Sequence, residues 1–242
     1  AKEHLRNGEQ TGIVRISLPT LDIDAAGQVP GHPLNQFSLD EYEGHLRIAT
    51  TISDAFGMTA PSGVQSMNDV YVLDSDLTVT GAVLNLGEDE TIYSVRFIED
   101  KGYVVTFKIV DPFFVVDLSD PDNPELSGEL KIPGYSSYLH PLGEDLILGV
   151  GQQDSQVKLS LFDVSVPNNP VELDTFLLNE YWSTVSKTHH AFLLDPEHEV
   201  FFIPGMDSAY VISYEGRSLS LAKAVGNIPA QRALYLDLSL LH

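Results

Sequence analysis

The amino-acid sequence predicts an all-β protein built from a repeated four-stranded antiparallel unit. Short apolar segments alternate with polar turns along the chain, and one strand–turn–strand pattern recurs at a nearly constant spacing. Fourteen Pro and 18 Gly among 242 residues also favour many turns over long helices. The window LAKAVGNIPAQRAL comes nearest to an amphipathic helix, and Gly226 and Pro229 interrupt it.

The repeated pattern is an apolar strand that ends in Asp and is followed by a polar turn closed by Asn-Pro. FFVVDLSDPDNPEL and LSLFDVSVPNNPVEL show it most clearly. Aligned on the residue that ends each strand, the copies are spaced 43, 46 and 50 residues apart. The aligned residues are Asp74, Asp117, Asp163 and Ser213, and an earlier copy, TGIVRIS, ends at Ser17.

A second series of strand pairs lies between these copies. Gly44 and Gly102 mark the turn in two of the pairs, and Asp145 and Glu199 mark it in the other two. Together the two series give four short strands per unit, and RALYLDLSLLH has the pattern of a fifth unit that begins there. Such a unit, with a period of 40–50 residues, is typical of a β-propeller blade. One sheet cannot bury both faces alone, so we expect the blades to stack face to face.

We therefore predict that residues 1–242 form a single β-propeller domain of about five blade units. This domain is either a small ring or a portion of a longer propeller. A two-layer β-sandwich is the alternative architecture, but the strands of a sandwich need not repeat as a unit.

Composition restricts the function classes. The formal net charge is −22, with 35 Asp and Glu against 13 Lys and Arg, so we expect no nucleic-acid partner. No run of 18 apolar residues is present, so we expect no membrane insertion within this chain. The absence of cysteine excludes disulfides and thiolate zinc sites.

The turn sequences VDLSDPDNPEL and FDVSVPNNPVEL resemble the LVIVD-type propeller repeat, in which a strand ending in Asp-Val-Ser continues into a Pro-containing turn. From about residue 10 onward the chain also resembles a family of prokaryotic secreted proteins with a β-propeller domain, common in archaea and some bacteria and mostly uncharacterised. The resemblance implies the propeller fold and a secreted or cell-surface location, with any signal removed or outside this chain. It carries over no catalytic set.

The first strand of each unit supplies the candidate binding residues, because in a propeller that strand lines the central channel. Convergent polar groups at a concave axis favour a ligand site. Two adjacent histidines on a strand face opposite ways and cannot chelate one metal as a simple pair. The candidates are Arg96, Tyr138, His140, His189, His190 and Arg232, with Ser38 and Ser94 on the same strand of their units.

The acidic residues of the first clear turn have two interpretations. Asp117, Asp120 and Asp122 cluster as DLSDPD, and such carboxylates accept backbone N–H bonds within turns. The alternative is a calcium site, although the spacing does not match an EF-hand loop and Pro121 stiffens the segment. We favour the role in turn structure.

The aromatic pair Tyr181 and Trp182 precedes a strand in the segment LLNEYWSTVSKTHH. An exposed aromatic loop would suit contact with a protein or a sugar. The alternative is that both rings fill a gap between blades.

These observations favour a non-catalytic extracellular propeller that acts as a protein- or polysaccharide-interaction module or scaffold. The motifs G-x-S-x-G, H-E-x-x-H, the P-loop and G-x-G-x-x-G are absent, so no enzyme class is indicated. A hydrolase or lyase with Arg96, His140 and His190 at the channel mouth is one alternative. A calcium-stabilised structural domain is another, and we expect no further cofactor.

Overall fold

The computed structural model describes residues 2–53, 65–108, 111–226 and 229–234. Within these ranges nearly all of the regular structure is antiparallel β-sheet, as the sequence predicts. The chain divides into two compact units, each larger than one four-stranded repeat. The first unit comprises residues 1–135 and 166–170, and the second unit comprises residues 136–165 and 171–242.

Four sheets of four consecutive strands account for most of the described chain, each strand pairing with its sequence neighbour. The first sheet contains β3 (Leu39–Tyr42), β4 (His45–Ser53), β5 (Ser66–Leu73) and β6 (Val79–Leu86). The second contains β7 (Thr91–Ile98), β8 (Lys101–Phe107), β9 (Asp111–Asp117) and β10 (Glu125–Ile132). The third contains β11 (Tyr135–Pro141), β12 (Leu146–Gln153), β13 (Gln156–Asp163) and β14 (Val171–Leu178). The fourth contains β15 (Leu193–Asp195), β16 (Val200–Pro204), β17 (Ser208–Ser213) and β18 (Ser220–Gly226).

This arrangement confirms the prediction of repeated four-stranded antiparallel units. The strands that end at Asp74, Asp117, Asp163 and Ser213 are the third strands of the four sheets, and the strand pairs of the second series are the first and second strands. Each sheet is open, with its first and fourth strands at the edges.

Two details of the predicted layout need correction. The segment TGIVRIS is not a third strand, because β1 (Gln10–Ile16) pairs with β2 (Ile23–Pro30) in a separate two-stranded hairpin. A short helix that the pattern did not predict, α1 (Lys2–Arg6), precedes this hairpin. The window that begins with LAKAVG was not predicted to be a helix, and up to Gly226 it forms strand β18. The predicted start of a fifth four-stranded repeat lies mostly at residues 235–242, outside the described residues.

Both faces of the first sheet are covered within its unit. On one face Ile48, Tyr71 and Leu73 are buried with Val29 of the hairpin. On the other face Ala49, Val70 and Val72 join Val95, Val104 and Phe114 of the second sheet in one core cluster. Every residue of β5 is consequently buried, which accounts for the continuous apolar character of VYVL.

The repeated Asn-Pro turn packs against the outer strand of the preceding sheet. A Cβ atom at Gly81 on β6 would lie 2.5 Å from the carbonyl oxygen of Pro121. At Gly128 on β10, a Cβ atom would lie 2.8 Å from Cδ of Pro170 in the next turn. Only glycine permits these approaches, so the repeated sequence is also a repeated packing contact within the first unit.

Candidate functional site

Within each unit the predicted binding residues make local contacts. In the first unit, the guanidinium of Arg96 on β7 lies over the ring of Phe37, with the Arg96 Cζ atom 4.2 Å from the ring centroid. Ser94, on the same strand, is buried. Ser38 is also buried and ends the 3-10 helix Gln36–Ser38, where its hydroxyl caps the turn that begins at Asn35. Arg96 therefore makes a cation–π contact in its own unit.

In the second unit, the structure brings Tyr138 and His140 together. Both lie on β11, and the Tyr138 hydroxyl is 2.7 Å from Nδ1 of His140. The ring of Phe192 packs against both, with its centroid 4.4 Å from that of His140 and 5.7 Å from that of Tyr138. This group combines one imidazole and one phenol against an apolar wall. Its use by a hydrolase or lyase stays a prediction.

The other predicted residues do not lie on strands. His189 and His190 are in the 3-10 helix His189–Ala191, just before β15, and their ring centroids are 3.9 Å apart. The expectation that they alternate across a strand is therefore wrong, because β15 begins only at Leu193. Arg232 is exposed in an irregular segment.

The acidic turn confirms the interpretation in terms of turn structure. Oδ1 of Asp117 accepts the backbone N–H of Ser119 at 2.9 Å, and Oδ1 of Asp120 accepts that of Asp122 at 3.1 Å. The Asn123 amide donates to Oδ2 of Asp120 at 3.0 Å. Asp163 repeats the first contact with the N–H of Ser165 at 2.9 Å. Asp117 and Asp163 are therefore equivalent, because each accepts the N–H of the residue two positions later and stabilises its own turn.

The pKa values of these carboxyl groups respond to the same bonds. Partial burial opposes ionisation of Asp117, but the hydrogen bonds from Ser119 and the charge of Lys101 outweigh it and lower its pKa. The side-chain amide of Asn123 is the main cause of a lowered pKa at Asp120. Among the described residues, no group of three or more His, Asp or Glu side chains is placed to hold a metal ion. A calcium site at Asp117, Asp120 and Asp122 stays a prediction.

The aromatic loop of the second unit is exposed. The Tyr181 side chain is 65% accessible, Trp182 is half-buried, and Nζ of Lys187 lies 5.1 Å from the Trp182 ring centroid. Met206, in the turn between β16 and β17, is 51% accessible. We call Tyr181, Trp182 and Met206 the aromatic platform. The alternative that both rings are buried in a gap does not hold for Tyr181.

Glu180 joins the two loops that carry the aromatic platform. Its side chain is buried, and its carboxylate accepts the N–H of Met206 at 3.0 Å and the hydroxyl of Tyr210 at 2.9 Å. A Cβ atom at Gly205 would lie 2.5 Å from this carboxylate, so only glycine leaves room for it. Burial and the bond to Glu180 raise the pKa of Tyr210, which keeps its hydroxyl a donor. The two loops that carry the platform are therefore joined by hydrogen bonds to one buried carboxylate.

Pattern reasoning found Tyr181 and Trp182 but missed Glu180, Gly205 and Met206. Residue 180 lies just after β14, and residues 205–206 lie in the turn between β16 and β17. The sequence shows only an aromatic loop at residues 181–182 and a Gly-Met-Asp turn at residues 205–207. These features do not reveal that the glutamate reaches across to the turn.

A cavity of about 400 Å³ lies in the first unit. Two of its polar groups already have partners: the Thr51 hydroxyl donates to Oδ1 of Asn68 at 2.7 Å, and Nδ1 of His32 is 2.9 Å from Oε2 of Glu9. We therefore assign it no ligand. Its walls are formed by His32, Leu34, Thr51, Ser53, Thr91, Ile92 and Tyr93.

No helix within the described ranges is long and apolar enough to cross a membrane.

The sheets and their connecting turns define the class of the protein: an all-β repeat protein of the β-propeller type. The family model described as "Beta propeller domain" matches residues 1–234, and the chain belongs to this family.

Two archaeal relatives are similar over almost the whole chain. An uncharacterized protein of Archaeoglobus fulgidus is 50% identical over 237 residues, which is 98% of this chain and 36% of the relative. An uncharacterized protein of Methanocaldococcus jannaschii is 45% identical over 223 residues, which is 92% of this chain and 35% of the relative. The chain thus spans about a third of the length of these curated relatives.

Solved structures with low sequence identity share the fold. A chain from a crystal structure of the mitotic checkpoint complex superposes with a TM-score of 0.57 at 9% identity, covering 91% of this chain and 62% of that one. A chain from the complex of KlAtg21 with the coiled-coil of AgAtg16 gives 0.59 at 14% identity, covering 90% of this chain and 65% of that one. At these identities the likeness concerns the fold alone.

Proposed function

We propose that this chain is a non-catalytic protein-interaction module that binds its partner through the aromatic platform. The observation that carries the proposal is the high exposure of Tyr181 on a loop held in place by buried Glu180. Tyr, Trp and Met are enriched in the cores of protein interfaces because they offer large contact areas at a small cost in side-chain entropy. The hydrogen bonds to Glu180 hold the two loops together, which lowers the ordering cost further.

The partner surface we propose is basic at its rim. The chain carries 35 acidic and 13 basic residues, so its field attracts a positively charged protein and repels an acidic one. The two solved structures that share the fold come from protein complexes, the mitotic checkpoint complex and a complex with a coiled coil, and this agrees with a binding role. Neither partner is carried over to this chain.

The test is affinity capture with the purified chain from extracts of the organism that encodes it, followed by measurement of the dissociation constant for each captured protein. We expect Tyr181→Ala with Trp182→Ala to weaken binding about 30-fold or more, the effect of removing an interface hot spot. Leu177→Ala is the matched control, because Leu177 is an exposed apolar residue on β14 outside the platform. Its binding should match that of the unmodified chain.

Two results would contradict the proposal. One is equal capture by the double variant and by Leu177→Ala, with both melting as cooperatively as the unmodified chain. The other is a set of captured proteins that are acidic and whose binding does not weaken as salt is raised, since an attraction between opposite charges is screened by salt.

We also propose, from the resemblance of the turn sequences, that the units are LVIVD-type blades and that the protein is secreted or attached to the cell surface. Support comes from the repeated Asp–Ser contact at Asp117 and Asp163. Fractionation of the source cells with an antibody against the chain tests the location, and recovery in the cytoplasmic fraction alone would contradict it.

A further inference from the structure

A second cavity of the first unit lies where three turns meet. These are the turn between β3 and β4, the turn between β7 and β8, and the first Asn-Pro turn. Its volume is about 180 Å³. The wall is formed by Tyr42, Glu43, His45, Arg47, Val72, Asp100, Leu118, Ser119 and Pro121.

Arg47 is the buried charged group of this wall. Only 2% of its surface is accessible, and its guanidinium binds Asp40 and the carbonyl oxygen of Glu99. The rings of Tyr42 and Phe97 lie 5.0 and 5.2 Å from its Cζ atom. Its buried Nε–H has no hydrogen-bond acceptor among the described residues. A buried donor without a partner is costly, so the site favours a ligand that brings an acceptor oxygen.

Other residues of the cavity wall offer hydrogen-bond acceptors, in contrast to the donor of Arg47. Glu43 and Asp100 are accessible carboxylates that accept hydrogen bonds, and Ser119 adds a hydroxyl. Burial, followed by the charges of Glu43, Glu99 and Asp100, raises the pKa of Tyr42, so its phenol stays protonated. Val72, Leu118 and Pro121 add an apolar part of the wall. A ligand must therefore donate and accept hydrogen bonds around a small apolar body.

Charged side chains of both signs line the cavity, Glu43 and Asp100 as well as Arg47. Arg47 is paired with Asp40, and Asp100 lies 2.9 Å from Nζ of Lys101. An inorganic anion would meet the carboxylates of Glu43 and Asp100, and a divalent cation would meet Arg47 and too few oxygen ligands. A neutral ligand avoids both repulsions, and hydroxyl groups serve as donor and acceptor at once.

We propose that this cavity binds a neutral polyhydroxylated ligand the size of one sugar ring. Hydroxyl oxygens accept from Arg47, other hydroxyls donate to Glu43 and Asp100, and the C–H face packs on the apolar wall. The cavity is lined by residues of the first unit alone and shares none with the aromatic platform, so the proposal does not depend on a protein partner.

The experiment is an NMR or calorimetric titration of the full 242-residue chain with four probes: glucose, galactose, mannose and myo-inositol. We expect saturable binding of at least one probe. Glu43→Gln combined with Asp100→Asn should weaken it about tenfold or more, since bonds to charged acceptors are the stronger ones. Arg47→Lys removes the Nε donor but keeps the charge, and it should also weaken binding. Glu144→Gln, at the exposed turn between β11 and β12, is the control and should bind normally.

Three outcomes would overturn the proposal. The first is no saturable binding of any probe. The second is unchanged affinity in the Glu43→Gln, Asp100→Asn variant, which decides the matter even if Arg47→Lys fails to fold. The third is that only inorganic phosphate, Ca²⁺ or glycine, used as comparison ligands, binds at these residues.

Discussion

The first and fourth sheets have the same strand order but differ in how well their faces are covered. In the first, β5 is buried at every position, with Tyr71 on the hairpin side and Val70 on the side of the second sheet. In the fourth, Phe201 and Ile212 on one face are buried, whereas Phe202 and Val211 on the other are half-exposed. A repeated four-stranded sheet therefore becomes a two-sided core only where something packs on each face.

The largest effect should come from placing a charge on a strand that is covered on both sides. Val70→Asp puts an unpaired carboxylate into a site with no solvent access, so we expect the first unit to unfold. Val211→Asp is the matched change on the half-exposed face and should cost about 1–2 kcal/mol. Chemical denaturation followed by circular dichroism measures both. Similar losses at the two positions would show that the fourth sheet is as fully covered as the first.

The second largest loss of stability should come from a buried carboxylate. Asp69 of the first unit and Glu180 of the second are the two to compare. Asp69 is fully buried and accepts two bonds from Arg6, at 2.7 and 2.9 Å, and one from the Tyr71 hydroxyl at 2.6 Å. Burial and the bond to Asp69 raise the pKa of Tyr71, so that phenol stays a donor. Glu180, by contrast, is held by the Met206 N–H and the Tyr210 hydroxyl, which are neutral donors.

Removing one partner from each carboxylate should therefore give unequal losses. Arg6→Ala leaves the Asp69 charge without its cation and should lower the free energy of unfolding by about 3–5 kcal/mol. Tyr210→Phe removes one neutral hydrogen bond and should cost about 1 kcal/mol. Asp69→Asn in the Arg6→Ala background should restore part of the loss. Denaturant titrations of the purified variants measure these losses, and a loss for Arg6→Ala below that of Tyr210→Phe would mean that the Arg6 pair contributes nothing.

The smallest loss of stability should come from removing the turn carboxylates Asp117 and Asp163. The loss should be similar for the two, because each carboxylate accepts a backbone N–H bond within its own turn. Hydrogen bonds from Ser165 are the main cause of a lowered pKa at Asp163, assisted by Arg217 at 2.6 Å, and Asp117 behaves similarly. A folded pKa below the unfolded value of about 3.9 gives stability that is present above that pH and lost as the pH falls through the folded pKa.

We expect Asp163→Asn and Asp117→Asn each to cost about 1 kcal/mol at neutral pH and less in acid, with a shallower loss of stability below about pH 4. Unfolding curves at a series of pH values measure this. An acid dependence identical to that of the unmodified chain would refute the role of these carboxylates. A larger loss for Asp163→Asn would measure the contribution of its ion pair with Arg217.

The repeat, the four-strand unit and the turn role of Asp117 were predictable because each depends on neighbours in sequence. Period-two alternation and Asn-Pro turns are local signals. The hairpin β1–β2 was predicted wrongly, because TGIVRIS has the alternation of a third strand and nothing within it specifies pairing with residues 23–30. His189 and His190 were placed on a strand because an apolar run comes directly after them, and the 3-10 turn overrides that pattern.

The class of fold follows from the amino-acid sequence, because alternating burial and turn chemistry are encoded residue by residue within each four-stranded repeat. The position of Tyr181 and Trp182 in a loop follows from it as well. The contact of Glu180 with Met206, and the burial of Arg47 beside Glu43 and Asp100, arise only when the sheets pack. The contacts of Glu180 with Met206 and of Arg47 with the carbonyl oxygen of Glu99 join residues 26 and 52 positions apart. No local pattern specifies which side chains meet when sheets pack.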